Sequence, residues 1–450
     1  MQHQEIEGFR LSPQQHRVWL LQQHSASFHA QCAVLIEGPL RREHLNEALR
    51  RVVMRHEILR TSFHRVPGVD LPLQVVHEES PVRLREVKLA PADAAEERLA
   101  EHLREERERP FDYEQGETLR LLLAEMGTHK HALVLSMSAL CADTWALRHL
   151  LDDVVRHYAA AASGEVVEGE VVQYVDFSEW QYELLESEDK RAGREFWQRQ
   201  QQETADLPPS SLPLEDHAAA VGYRPETLTV EVGGAERQRL EALGRGHQAT
   251  AETVLLACWQ IFLWRLTGVP DFVINTAFDG GKYTELRGSV GLFTKHLPLR
   301  AALDGGGTLG DVARHVAQTH KEAYRWQEYF DRGRGEAAPE VGPGVGFSYE
   351  EWPESLRAAQ LTFTLSHLSA CSERFKLKLT ASHTAEGLRL AFTYNSSLFT
   401  SEVVRRWADG YLVLLRCALD EPQTPVAELP AVGERERRLL LASCGPPAAA

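Results

Sequence analysis

The chain has 450 residues, 43% of them hydrophobic, enough to build the cores of roughly two to four domains. Sixty-five acidic side chains against 49 basic ones leave a formal charge of −16, which repels a phosphate backbone and excludes nucleic acid as an expected partner. The N-terminus, Met1-Gln-His-Gln-Glu-Ile-Glu-Gly8, has no apolar leader, and no run of about 18 apolar residues occurs, so the expectation is a cytoplasmic protein without a membrane span. The six cysteines (Cys32, Cys141, Cys258, Cys371, Cys417 and Cys444) form no C-x-x-C pair and read as reduced, mostly buried thiols, with no metal site expected.

Apolar residues at Leu45, Ala48, Leu49, Val52 and Val53 have helical spacing and lead to Arg55-His-Glu. Glu96 to Arg109 is dense in Glu and Arg with Leu99 and Leu103 four apart, an exposed salt-bridged helix that stops before Pro110. Leu119 to Ala124 and Ala132 to Met137 read as strands, and Trp145 to Ala161 as a helix, so residues 138 to 144 fall on a strand-to-helix turn. Lys190 to Gln202 is helical, and the Pro-rich stretch Leu207 to His217 separates two halves. The second half holds a strand at Leu228 to Val232 and an apolar helix from Ala251 to Leu266 ending near Gly268. Six strands follow, at Asp271 to Thr276, Leu297 to Ala302, Gly344 to Tyr349, Thr362 to Leu368, Lys376 to Ser382 and Leu388 to Tyr394, before a helix from Ser401 to Leu419. The pattern predicts an α+β architecture with a sheet in each half, divided as 1–182 and 183–430, with 431–450 a linker.

Leu11-Ser-Pro-Gln-Gln-His-Arg-Val-Trp19 and Arg55-His-Glu-Ile-Leu-Arg-Thr-Ser-Phe63 resemble the first two signatures of the nonribosomal peptide synthetase condensation domain family, the second almost letter for letter. Pro110-Phe-Asp112, Tyr174-Val-Asp-Phe-Ser-Glu-Trp-Gln181, Val290-Gly-Leu-Phe293 with Leu297-Pro-Leu-Arg300, and Tyr394-Asn395 with Leu398-Phe399 follow in family order. The resemblance covers about residues 8 to 430. It implies two chloramphenicol-acetyltransferase-like lobes in a V, with a tunnel that admits phosphopantetheine-tethered substrates from carrier proteins. It also implies no directly bound cofactor, and a linker leading to an adenylation domain. Cys141, Trp145, Phe293 and Ser348 are expected to line that tunnel.

The centre departs from the family. Where active members read H-H-x-x-x-D-G, this chain reads Ser138-Ala-Leu-Cys-Ala-Asp-Thr144, so Ser138 and Ala139 stand for the histidines and Thr144 for the glycine. Amide formation requires a group that takes the acceptor amine's proton near neutral pH, which alanine lacks and serine supplies poorly. A β-branched residue at 144 also resists the positive φ and close approach that glycine permits. Asp143 is expected to be a buried structural carboxylate, ion-paired with Arg60 or Arg55. Cys141 has no histidine beside it, the nearest downstream being His149, and reads as an inert buried thiol. His56 reads as a local hydrogen-bonding residue, and His296 is the one histidine that would substitute if it reached the tunnel. Because Ser138 and Ala139 are smaller than histidine, a through-tunnel is expected at their position. Thr294-Lys295 replaces the family's Val-Asn pair, and Trp326-Gln-Glu-Tyr-Phe330 only faintly resembles its H-Q-D-x-P-F-E loop.

Two functions are weighed on this basis. The favoured one is a condensation-like platform that engages carrier-tethered substrates or recruits a tailoring oxygenase. The alternative is an acyltransferase that forms an amide or ester by positioning, another histidine or the substrate's own amine. A stand-alone coenzyme A-dependent enzyme is disfavoured by the linker-like tail.

Overall fold

A computed structural model describes residues 8–22, 27–68, 70–89, 94–187, 190–208, 211–216, 222–330, 344–353 and 355–433. The linker expected at 431–450 lies outside them from residue 434 onward, as does part of the Pro-rich crossing.

The first half runs α1 (Pro13–Gln22), β1 (His29–Glu37), α2 (Arg42–Arg55), β2 (Thr61–His64), β3 (Leu73–Val76), β4 (Leu84–Lys88), α3 (Ala95–Glu108), β5 (Leu119–Gly127), β6 (Lys130–Ser138), α4 (Thr144–Ser163), α5 (Tyr174–Glu186) and α6 (Lys190–Thr204). The second runs β7 (Pro225–Gly233), α7 (Gly234–Gly246), α8 (Ala251–Thr267), β8 (Asp271–Phe278), β9 (Lys295–Ala302), α9 (Leu309–Trp326), β10 (Val345–Glu351), β11 (Leu356–Ala358), β12 (Leu361–Ala370), β13 (Leu377–Thr384), β14 (Gly387–Asn395) and α10 (Ser401–Asp420). Thr250 caps α8 through a reciprocal pair of bonds with Thr253, which fixes where the apolar run becomes helical.

Among the described residues the strands form two six-stranded sheets, β11-β12-β1-β6-β5-β4 and β7-β14-β13-β10-β8-β9, with β2 and β3 as a separate hairpin. The α+β, two-lobed expectation holds. The division at residue 182 does not hold for the strands: β11 and β12 come from the second half, yet β12 pairs antiparallel with β1 from Ala30↔Ala370 to Glu37↔Thr362. The sequence reading assigned that segment to the second sheet because strand patterning carries no information about which lobe a strand joins. It also left α1, β1, β2, β3, β4, α5, α7, α9 and β11 unassigned. In β1 the reason is burial on both faces: Cys32, Val34 and Ile36 pack in the core under α2 and α4, while Ala33 packs under α3, so no polar alternation marks the strand.

The second sheet covers one face with α8, α9 and α10. Val345, Phe347, Leu377 and Leu379 enter that core with Trp259 and Tyr411. Their strand neighbours therefore face the other way, toward the first lobe. No described helix is long and apolar enough to cross a membrane.

The crossover makes a second-half residue part of the first lobe's core. Phe363 is 1% exposed and lies edge-on to Tyr158 of α4. Phe363→Ala is expected to cost about 3–5 kcal/mol in denaturant unfolding. It should also lower hydrogen-exchange protection in β1; unchanged protection there, with protection lost only in the second sheet, would overturn the assignment.

Candidate functional site

Strand β6 is buried along almost its whole length and delivers the turn 139–143 into the interior. The Ser138 hydroxyl accepts from the Leu140 N–H at 3.1 Å and donates to the Tyr113 hydroxyl at 3.3 Å, which in turn donates to Gln22 Oε1 at 2.9 Å. Gln15 of the first signature donates to the Leu140 carbonyl at 3.0 Å and to Gln74 Oε1 at 2.9 Å. These bonds from both sides hold the conformation of the turn.

Asp143 ends the turn as the N-cap of α4. Its Oδ1 accepts from the Ala146 N–H at 2.8 Å, and its Oδ2 accepts from the N–H groups of Phe293 at 2.8 Å and Thr294 at 2.6 Å. The carboxyl is 2% exposed. Burial pushes its pKa up and these donors pull it back, with a net rise above the ordinary carboxylate value. The expected ion pair with Arg60 or Arg55 is therefore incorrect. Arg55 Nε pairs with Asp153 at 3.1 Å, and His56 Nε2 bonds the same carboxylate at 2.8 Å. Burial opposes ionisation of Asp153, but the hydrogen bond from His56 and the neighbouring Arg55 charge outweigh it and hold its pKa low. Arg60 bonds Glu57 at 3.3 Å and the His77 carbonyl. The physical reason is reach: the end of α2 faces α4 at Asp153, ten residues and about 15 Å of helix beyond Asp143.

The other motifs converge on the same seam between lobes. Tyr174 donates to the Leu292 carbonyl at 2.8 Å and accepts from Ser12 at 2.7 Å. Its ring lies so close to Gly291 that an added Cβ would fall 1.9 Å from it, so glycine is required there by contact. The two sequence departures at 294–295 and 326–330 prove to be one feature. Lys295 Nζ bonds Glu328 at 2.7 Å, Glu328 is buried and Lys295 largely so, and Gln181 donates to the same carboxylate at 3.1 Å.

Between the lobes lies a cavity of about 500 Å³. Asp143, Thr144 and Trp145 line it from the first lobe, and His296, Ser348 and Lys378 from the second. Trp145, Ser348 and His296 thus stand where a substrate channel would need them. Cys141 and Phe293 do not: both are packed in the first lobe's core, and burial pushes the Cys141 thiol's pKa up, which suits an inert thiol. Ser138 and Ala139 are 0% exposed and contribute nothing to the cavity wall, so the expectation of an open passage at the histidines' position is corrected. Ala139 joins the apolar cluster, and Ser138 is bonded to Tyr113. His149 sits edge-on to Trp145 at 4.4 Å, and burial, with the Arg148 charge, lowers its pKa to about 4. Lys378 was not anticipated. In Lys376-Leu-Lys-Leu-Thr380 a cation at every second position reads as a solvent-facing strand edge, and no sequence signal marks the face as internal.

Two measurements test this geometry. Asp143→Ala strands three buried N–H donors and is expected to cost about 3 kcal/mol or more in chemical denaturation; a loss below about 1 kcal/mol would show that the clamp does not form. Lys295→Met leaves a buried, unpaired Glu328 and should cost about 3–5 kcal/mol, while adding Glu328→Met recovers most of it. Equal, additive losses in that double-mutant cycle would rule out the pair.

With the geometry in place, the comparisons are direct. The family model described as Condensation domain matches residues 6–441. Tyrocidine synthase 3 of Brevibacillus parabrevis is 29% identical over 447 residues, an alignment covering 97% of this chain and 7% of that protein, so the chain spans only a small part of its relative. The first condensation domain of the calcium-dependent antibiotic synthetase, solved with a substrate analogue, superposes with a TM-score of 0.83 at 19% identity, covering 95% of this chain and 100% of that one. The X-domain from teicoplanin biosynthesis, solved in complex with OxyB, superposes with a TM-score of 0.76 at 21% identity, covering 95% and 97%. These likenesses establish the two-lobed chloramphenicol-acetyltransferase-like fold. Together with the family match, they place the chain in the condensation domain family of the nonribosomal peptide synthetases.

Proposed function

We propose that this domain has given up histidine-driven amide synthesis and acts as a platform within a peptide synthetase, receiving carrier-protein-tethered substrates or recruiting a tailoring enzyme. The observation that carries the reading is Ala139: the position aligned with the family's second histidine holds a methyl group, 0% exposed, packed in the core. The neighbouring polar groups offer no replacement. Ser138 is held between Leu140 and Tyr113, Asp143 is held by three N–H donors, and the Cys141 thiol is buried. General acid–base groups are typically worth ~10²–10⁴ in rate, so their absence leaves only positioning.

A following adenylation domain and upstream and downstream carrier proteins fit this reading, since the relatives are synthetases of which this chain matches only a small part. Recruitment is supported by the X-domain, a neighbour of the same fold found in complex with OxyB. A second reading rests on His296, which lines the cavity and would be the base if acyl transfer persists.

The test is reconstitution with donor and acceptor carrier proteins loaded with thioester substrates. Amide formation at background is expected, against ~1 s⁻¹ or more for a working enzyme. Turnover at enzymatic rates would overturn the platform reading, and its loss in His296→Ala would then assign the base. The triple variant Ser138→His, Ala139→His, Thr144→Gly is expected to remain inactive and less stable by about 1–3 kcal/mol, because an imidazole at 139 must enter a filled core.

A further inference from the structure

The cavity between the lobes is acidic. Its lining carries six carboxyl groups, those of Asp143, Glu241, Glu252, Asp279, Glu350 and Glu351, against the cations of Arg148 and Lys378. Four of the six are engaged: Asp143 by three N–H groups, Asp279 by Arg148 at 3.6 Å, Glu252 by His320 at 3.3 Å and Glu241 by Arg237 at 3.9 Å. Glu351 is exposed. Glu350 is only 8% exposed, and it makes neither a hydrogen bond nor an ion pair among the described residues. A buried carboxylate without a counter-ion is costly unless something in the cavity supplies one.

Strand alternation brings Glu350 to the cavity. Val345 and Phe347 of β10 enter the second lobe's core, so Gly346, Ser348 and Glu350 face the other way, and Ser348 and Glu350 both line the cavity. These two stand roughly 6–7 Å apart along the strand. The Ser348 hydroxyl, in a residue 4% exposed, also has no hydrogen-bond partner among the described residues. Lys378 lies on the same wall but farther back: it pairs in register with Gly346, four residues and roughly 13 Å of strand before Glu350. The Glu350 charge acts on Lys378, yet no ion pair joins them. The Arg148 guanidinium is taken up by Asp279 and the Glu351 carbonyl, so neither cation of the lining neutralises Glu350 by contact.

We propose that the cavity selects an acyl group whose hydrocarbon chain ends in an ammonium, with Glu350 as its counter-ion and the Ser348 hydroxyl accepting a second hydrogen bond from it. This rests on the reading that the cavity receives carrier-tethered substrates. An anionic cargo would enter a lining in which carboxylates outnumber cations, and a neutral one would leave Glu350 buried without a counter-ion. An ammonium has three donors and no acceptor, which suits a carboxylate and a hydroxyl two residues apart on one strand face. Lys378 works against such a cargo, since like charges repel across a water-poor cavity. Its distance along the wall leaves the Glu350 end as the place for the cation, and its removal should strengthen binding there.

The experiment is calorimetric titration of the full 450-residue chain with two non-hydrolysable probes, the pantetheine thioethers of an aminopentyl chain and of a hydroxypentyl chain of the same length. Neither carries a phosphate, so the ammonium is the sole charge. The expected result is about 10-fold or tighter binding of the amine near pH 7. Glu350→Gln abolishes that preference without changing the affinity for the alcohol, Ser348→Ala reduces it, and Lys378→Met widens it. Equal affinity for amine and alcohol in the parent overturns the inference and leaves the platform reading intact. A preference that survives Glu350→Gln also overturns it, because attraction to the chain's net charge of −16 would then be the cause. Failure of both probes to bind removes the inference and the substrate-receiving role together. Should Glu350→Gln not fold, Lys378→Met decides: a preference that is unchanged or smaller in that variant overturns the assignment.

Discussion

One carboxylate holds the altered site together. Asp143 caps α4 with one oxygen and takes two N–H groups from the second lobe with the other. The start of the helix, the turn that precedes it and the strand β9 that follows Phe293 and Thr294 are thus positioned by a single side chain. None of these bonds needs a histidine. Removing the acid would strand three N–H donors, which ties the carboxylate to the fold independently of what stands at 138 and 139.

The same separation of structure from chemistry runs through the seam between the lobes. Ser12, Gln15, Tyr174 and Gly291 belong to three stretches that resemble family signatures, and each is spent on packing or hydrogen bonding around the turn. Lys295 and Glu328 form one interaction across this seam. Each looked like drift when taken alone, yet a buried cation and a buried anion that meet at 2.7 Å must be gained or lost as a pair. The cavity lies along this seam, while Ser138 and Ala139 are buried inside the first lobe.

Local patterning made most of the fold legible. The helices around Leu45 and Ser401 follow from spacing that matches one buried face, and the helix from Ala251 and strand β6 from apolar runs that are buried nearly all round. It failed where both faces are buried, as in β1, and where lobe membership depends on pairing across hundreds of residues, as in β12. The departure from the family motif at 138, 139 and 144 was legible in the sequence, but the partners of Asp143 were not. The Asp143 bonds go to backbone N–H groups, which every residue owns and no motif announces. Lys378 was hidden for the opposite reason: its alternation with leucine is what an exposed strand looks like, and only the second lobe turns that face inward.

The placement of β12 has a consequence for how the protein is made. Until Ala370 has left the ribosome, the first sheet has no partner for β1, and that strand's backbone stands as an open edge beside a completed β6. About 230 residues separate the end of β6 from the end of β12, so at ~5–20 residues per second the edge waits roughly 10–50 s. The nascent first lobe therefore passes through a long interval in which an apolar strand edge is available to other chains, and its closure depends on synthesis of the lobe that follows it.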